Sequence, residues 1–230
     1  MKTSIHPAQI MLSKTFTLAA IAALSLCCGC EINFNSGVKG SGVLKTETRQ
    51  VAQFDKVKFD GIGTLNLSFG ETNSLEVSGD DNLLPMIETT VSDGTLHIRP
   101  TESINPKSDL VFNVVTSELS EVAVAGAADL NIKDAACDSL KVTVSGAADM
   151  TGNGTVTDLA VSISGAGSVS LKDMKSENAK VSVSGAASAS VYASKSFDGS
   201  ISGVGSITCH GNPEDVEKST SGVGSIKVVE

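Results

Sequence analysis

The chain has 230 residues, a formal charge of -9 and a pI near 4.8, with 3% aromatic residues, no Trp, a single Tyr and 22 Gly. Such an acidic balance excludes the basic footprint of a nucleic-acid binder and any attraction to anionic lipid headgroups; its ordinary meaning is solubility. So few large rings also exclude a core built on aromatics, which leaves Val, Ile, Leu and Ala packed in a narrow space.

The chain opens with an address. Lys14 precedes an apolar run from Leu18 to Leu26, the positive and hydrophobic regions of an export signal. The run is about half of the roughly 20 residues that span a bilayer, so it does not predict a permanent transmembrane helix. Cys27, Cys28, Gly29 and Cys30 follow. A small residue before Cys resembles the bacterial lipobox, where the signal is cut ahead of a Cys whose sulfur takes a diacylglycerol and whose new N-terminus is acylated, for instance with palmitate. Gly29 makes Cys30 the expected lipidation site and 1–29 the signal peptide; Cys27 follows the bulky Leu26 and fits less well. Two or three acyl chains anchor stably where one does not. A plain secretory signal with incidental cysteines is the alternative, and Met11 competes with Met1 as the start. Residues 30–51, polar and glycine-rich, read as a tether.

Residues 52–120 read as an irregular β half. Phe54 to Leu67 alternates apolar and polar around Gly61-Ile62-Gly63, and Leu75 to Leu84 repeats that grammar 18 residues later around Gly79. Thr89 to Ile98 reads as two strands about an Asp93-Gly94 turn. Pro100, Pro106 and Pro213 fall in loop contexts.

From residue 121 onward one phrase recurs six times, anchored on Gly126, Gly146, Gly165, Gly185, Gly203 and Gly222, at spacings of 20, 19, 20, 18 and 19. The period suits neither a hairpin ladder nor a helix pair. In the first four copies Val or Ile stands two and four residues before the anchor. Ala or Gly always stands two after it, and four after it come Leu130, Met150, Val169, Ala189, Ile207 and Ile226. Outward positions carry Ser, Thr, Asn, Asp or Lys. Short strands with β-branched interiors and one tight corner per unit describe the coils of a parallel β-solenoid, with the anchor glycine expected to supply a corner conformation costly for other residues. The fold class is thus all-β, a parallel β-helix of about 19-residue coils.

Phe54-Asp55-Lys56-Val57, Asp60-Gly61, Val77 to Leu84, the Ser-Gly-Ala-Gly-like repeats, and the close on Gly211-Asn212-Pro213 and Ser221 to Ile226 together resemble the auto-transporter adhesin head GIN domain family, over residues 52–230. The resemblance implies a right-handed β-helix in an exported bacterial protein, often a lipoprotein, and an adhesin's role without known catalytic residues. Cys209-His210 departs from the aromatic pair frequent in the family before Gly-Asn-Pro, which reads as a packing change.

Other constellations carry less. His6 leaves with the signal, and His97 and His210 have no third ligand at metal spacing. The stretch from Gly165 to Ser170 is superficially like a dinucleotide fingerprint, but it opens no helix and recurs in every coil. Asp129 and Asp149 share one repeat position, which would set their carboxylates about 5 Å apart; a calcium ion or bonds to local backbone N–H groups would relieve the repulsion. Cys137 and Cys209 lie about four coils, or roughly 19 Å, apart, so they are expected unpaired, with Cys209 on the inward phase. No catalytic, cofactor or metal residue is assigned. The functional expectation is a non-catalytic protein anchored by lipid in the bacterial cell envelope, in the outer membrane. It would act as an adhesin or binding scaffold for a surface protein or glycan, with no nucleic-acid partner. A structural envelope lipoprotein without a ligand and a polysaccharide-active β-helix enzyme are the alternatives; the enzyme would want aromatic platforms for sugar rings that this composition scarcely provides.

Overall fold

The computed structural model describes residues 37–230, which fall within one compact unit, Ser36–Glu230, with its own continuous core. The lipidation site expected at Cys30 lies outside the described residues. Chain order begins with β1 (Val38–Lys39), β2 (Leu44–Arg49), β3 (Lys56–Phe69) and β4 (Ser74–Asp80), then a 3-10 turn at Leu84–Met86. Next come β5 (Ile87–Ser92), β6 (Thr95–Pro100), β7 (Ile104–Asn105) and β8 (Val111–Thr116). The repeats then form β9 (Glu121–Val144), β10 (Ala147–Ile163), β11 (Ala166–Val183), β12 (Ala186–Tyr192), β13 (Ser196–Ile201), β14 (Val204–His210), β15 (Asp215–Thr220) and β16 (Val223–Val229).

The repeats stack in parallel with matched register. Asp129, Asp149 and Ser168 are neighbours across β9, β10 and β11, and Ser188, Ser206 and Ser225 continue the same column. The expected inward register holds: Val122, Val124, Leu130, Val142, Val144, Met150, Val161, Ile163, Val169, Val181 and Val183 are all buried. The core is aliphatic along most of its length. Its one close ring pair, Phe59 against Phe112 at 5.0 Å and 72°, sits near the irregular end.

The glycine corners work differently from the expectation. Of the six anchors only Gly126 has a left-handed backbone, with φ +125. What the other anchors answer is crowding. A Cβ on Gly146, Gly165, Gly185, Gly203 or Gly222 would lie 1.7–2.0 Å from the carbonyl oxygen of the glycine one coil before. Those carbonyls are held there by hydrogen bonds from the next coil: Ala166 N donates to Gly146 O at 3.0 Å and Ala186 N to Gly165 O at 3.0 Å. The ladder therefore runs through the corner without a loop.

The irregular half contains a regular coil out of sequence order. β3 pairs in parallel with β9, Gly61 beside Gly126, and on its other edge with β6 and β8. Beyond that coil the direction reverses: β5 is antiparallel to β6, β4 to β8, and β2 to β4. The phrase around Gly79, read as a second copy of the repeat, is this antiparallel cap. The boundary expected for the tether moves as well, because residues 38–49 enter the fold as β1 and β2. The hairpin about Asp93-Gly94 forms as expected, with φ of 50 and 72 at the two turn residues.

Replacing Gly165 by Ala should cost on the order of 3 kcal/mol, since its methyl group would have to displace a hydrogen-bonded backbone carbonyl. Ala166→Ser, one position on and exposed, should stay within about 0.5 kcal/mol. Urea midpoints of the two variants check both values.

Candidate functional site

The solenoid corner presents small residues outward along its length: Ala127, Ala147, Ala166 and Ala186 are exposed on successive coils. Beside them run Thr64, Asp129, Asp149 and Ser168. Near the cap, the segment 106–110 between β7 and β8 overhangs this surface and turns part of it into a groove of about 610 Å³. Pro106, Lys107, Asp109 and Leu110 form one wall, the alanines the floor, and Thr64, Asp129 and Asp149 the other wall.

The overhang is pinned by one buried carboxylate. Asp80, fully buried at the end of β4, accepts hydrogen bonds from Lys107 N (2.8 Å), Ser108 N (3.1 Å), Ser108 Oγ (3.0 Å) and Gly42 N (2.8 Å). Burial alone would push its pKa up, but the donors from Ser108, Lys107 and Gly42 outweigh it and the net shift is downward. Gly40 leaves room for that carboxylate, since a Cβ there would lie 2.0 Å from Asp80 Oδ2. On the groove side, Leu110 O accepts from Thr64 N at 2.8 Å and crosses Gly63, whose φ is +123. The wall is thus fixed at both ends.

Asp129 and Asp149 lie side by side in this groove, as the repeat position required. Asp149 Oδ1 accepts from Ser168 N at 3.0 Å, so its backbone partner comes from the next coil rather than from its own turn. Among the described residues no three His, Cys, Asp or Glu side chains are grouped to hold a metal ion. His97 lies on β6, and His210 Nε2 is 3.0 Å from Ser190 Oγ, far along the chain from the groove wall. Cys137 and Cys209 are both free, Cys209 fully buried. Burial pushes the Cys209 thiol up to about 11 and also raises that of Cys137, to which Asp138 adds.

The sequence reading missed the overhang, whose only signal was the break in strand alternation at Pro106-Lys107-Ser108-Asp109. It also missed a polar ladder on the outer face. Asn113 donates to Glu76 (3.1 Å), Asn66 to Asn113 (2.9 Å), Asn131 to Asn66 (3.0 Å) and Thr151 to Asn131 (2.7 Å). A smaller groove of about 360 Å³ on another face is crossed by the chain's own contacts, Lys180 to Asp198 at 2.6 Å and Asn178 to Asp158 at 2.8 Å.

Residues 53–213 match the family described as "Putative auto-transporter adhesin, head GIN domain". Among solved structures, a "putative adhesin" from Bacteroides fragilis is similar at 21% identity and a TM-score of 0.64, over 84% of this chain and 100% of that one. A "Putative lipid binding protein" from Parabacteroides distasonis is similar at 21% identity and a TM-score of 0.51, over 84% and 99%. At these identities the likeness is one of fold. No curated protein is similar to the chain by sequence.

Asp80 contributes stability that is fully present above the ordinary carboxyl value of 3.8 and is lost as pH falls through its lower folded value. Asp80→Ala should therefore lower the urea midpoint at pH 7 far more than Glu102→Gln at the surface, and should flatten the acid limb of stability against pH. An unchanged acid limb would show that the carboxylate is not what pins the overhang. In residues 31–230 at pH 8 iodoacetamide should leave Cys209 unlabelled in the folded state, and denaturation should release two titratable thiols, Cys137 and Cys209; a mass two protons short would instead mean a disulfide.

Proposed function

Since the chain belongs to the auto-transporter adhesin head GIN domain family, we propose that it is a non-catalytic binding module of the bacterial cell envelope that takes its ligand in the groove under residues 106–110. The observation that carries this reading is the overhang itself. Stacking accounts for every coil, whereas residues 106–109 stand outside the stack, with Lys107 and Ser108 held by a dedicated buried carboxylate and the segment rejoining the core at Leu110. The wall pairs one ammonium, Lys107, with the carboxylates of Asp109, Asp129 and Asp149 above a floor of alanines, a mixture suited to a polar surface ligand, protein or glycan. The anchor in this proposal is acyl lipid on Cys30, holding the module at the outer membrane.

An enzyme reading has less support. The one Tyr of the chain, Tyr192, has Lys175 Nζ 3.8 Å above its ring, so that face is not an open platform for a sugar.

Residues 31–230, screened against glycan arrays and extracellular proteins, should retain a ligand that Ala147→Trp loses at least ten-fold. That exposed floor position fills the groove without entering the core. A ligand indifferent to Ala147→Trp would move the site elsewhere, and release of cleaved polysaccharide would overturn the non-catalytic reading. In the full chain, Cys30→Ser should abolish incorporation of labelled palmitate and release the protein from membranes; persistent labelling would refute the anchor.

A further inference from the structure

The groove under residues 106–110 carries charge that stacking does not require. Three residues after each corner glycine stands one outward column: Thr64, then Asp129 and Asp149, then Ser in every coil from Ser168 to Ser225. Asp thus occurs in two adjacent coils, and both line the groove. The serines show that a coil closes without a carboxylate at this position. Two of them side by side are unfavourable, because residues directly opposite on paired strands lie about 5 Å apart and like charges so placed repel. Stacking gains little in return. Asp149 Oδ1 accepts from Ser168 N at 3.0 Å, but among the described residues no matching bond runs from Asp149 N to Asp129.

The groove does not neutralise these charges itself. Asp109 adds a third carboxylate on the overhanging wall. Lys107, the one cationic residue of the lining, turns its ammonium toward Ser41 O, 3.5 Å away, with its stem passing Gly42. A calcium ion takes about 6–8 oxygen ligands, and among the described residues no three acidic side chains are grouped to hold a metal.

The shape of the groove narrows the ligand further. Its floor is methyl groups, from Ala127 across Ala147 to Ala166. These two strand spacings cover roughly 10 Å, the length of about three extended residues. The volume of about 610 Å³ exceeds what one ammonium group would fill. An extended peptide sends successive side chains to opposite sides, and here each side ends in a carboxylate wall. The stems of Lys and Arg are apolar and lie well on alanine, while their charged heads reach outward.

We propose, on the reading that the groove is the binding site, that its ligand is an extended segment of a partner protein with two adjacent basic residues. One head sits against Asp129 and Asp149, the other against Asp109, and the stems cross the alanine floor.

The test uses residues 31–230 and two end-blocked, fluorescently labelled peptides, Gly-Ala-Lys-Lys-Ala-Gly and Gly-Ala-Glu-Glu-Ala-Gly, read by anisotropy at low ionic strength. The Lys-Lys peptide should bind and the Glu-Glu peptide should not. Asp129→Ser combined with Asp149→Ser should weaken binding at least ten-fold while the urea midpoint holds or rises, since Ser already fills this position in other coils. Asp215→Ser combined with Glu217→Ser, exposed on β15 at the far end of the stack, removes the same charge and should leave binding unchanged. Equal weakening by the two pairs would reduce the binding to net charge and overturn the proposal. So would a urea midpoint that falls on Asp129→Ser with Asp149→Ser, which would assign the carboxylates to the stack, or spermidine that binds as tightly as the peptide. If the Lys-Lys peptide fails to bind while another ligand is lost on Ala147→Trp, the ligand class is overturned and the groove stands. If Ala147→Trp retains full Lys-Lys binding, the groove reading itself fails.

Discussion

The structure depends on how closely one coil's backbone can lie on the next at the corner. A glycine carbonyl stands where the next glycine's Cβ would be, 1.7–2.0 Å away along most of the spine. Because the corner is this tight, the hydrogen-bond ladder passes through it and each coil repeats the last with almost no slack. The two walls then stay close, which suits Val, Ile and Ala. It also explains why a chain with so few aromatics can still bury a continuous core. The same constraint makes the corner's outer surface flat and small-sided, and a flat surface needs an added wall before it can enclose anything. Residues 106–110 supply that wall.

Most of the coil was legible because its causes are local and repeated. Inward Val and Ile, the small residue two after each anchor, and the inward Cys209 all follow from one alternating phrase, and the structure places them as that phrase implies. The reason for the glycine was misread. Sequence cannot distinguish a residue needed for its own torsion from one needed because a neighbouring chain lies where its side chain would be. Gly126 meets both demands, with φ +125 and Gly61 O at 2.0 Å, whereas its five successors meet only the second.

The irregular half was opaque for a different reason: its partners are distant and out of order. β3 lies between a coil that precedes β9 in the chain and β9 itself. A signal for this did exist. Thr64-Leu65-Asn66-Leu67 aligns with Asp129-Leu130-Asn131-Ile132, and the amides of Asn66 and Asn131 are hydrogen-bonded at 3.0 Å. Asp80 offered no comparable signal. Between Gly79 and Asp81-Asn82 it reads as a turn residue, and only the fold shows that its donors come from 27, 28 and 38 residues away. The groove was correspondingly half legible: its repeating wall, with Asp129 and Asp149, could be read, while its overhanging wall could not.

Every solenoid must also deal with its two terminal edges, and a regular repeat cannot do so, since each coil is built to receive another. The solution must therefore be irregular, and the departures from the repeat lie at the two ends. At the first end the chain reverses direction and buries its edge under antiparallel strands, bringing in Asp80 and with it the groove. At the second end the phrase is kept to its last glycine, and the departure is confined to two inward side chains of β15, Lys218 where Val181 and Gly199 precede it in the column and Thr220 where Val183 and Ile201 do. The departures that the repeat does not explain, the groove wall among them, thus arise where the stacking rule has to stop.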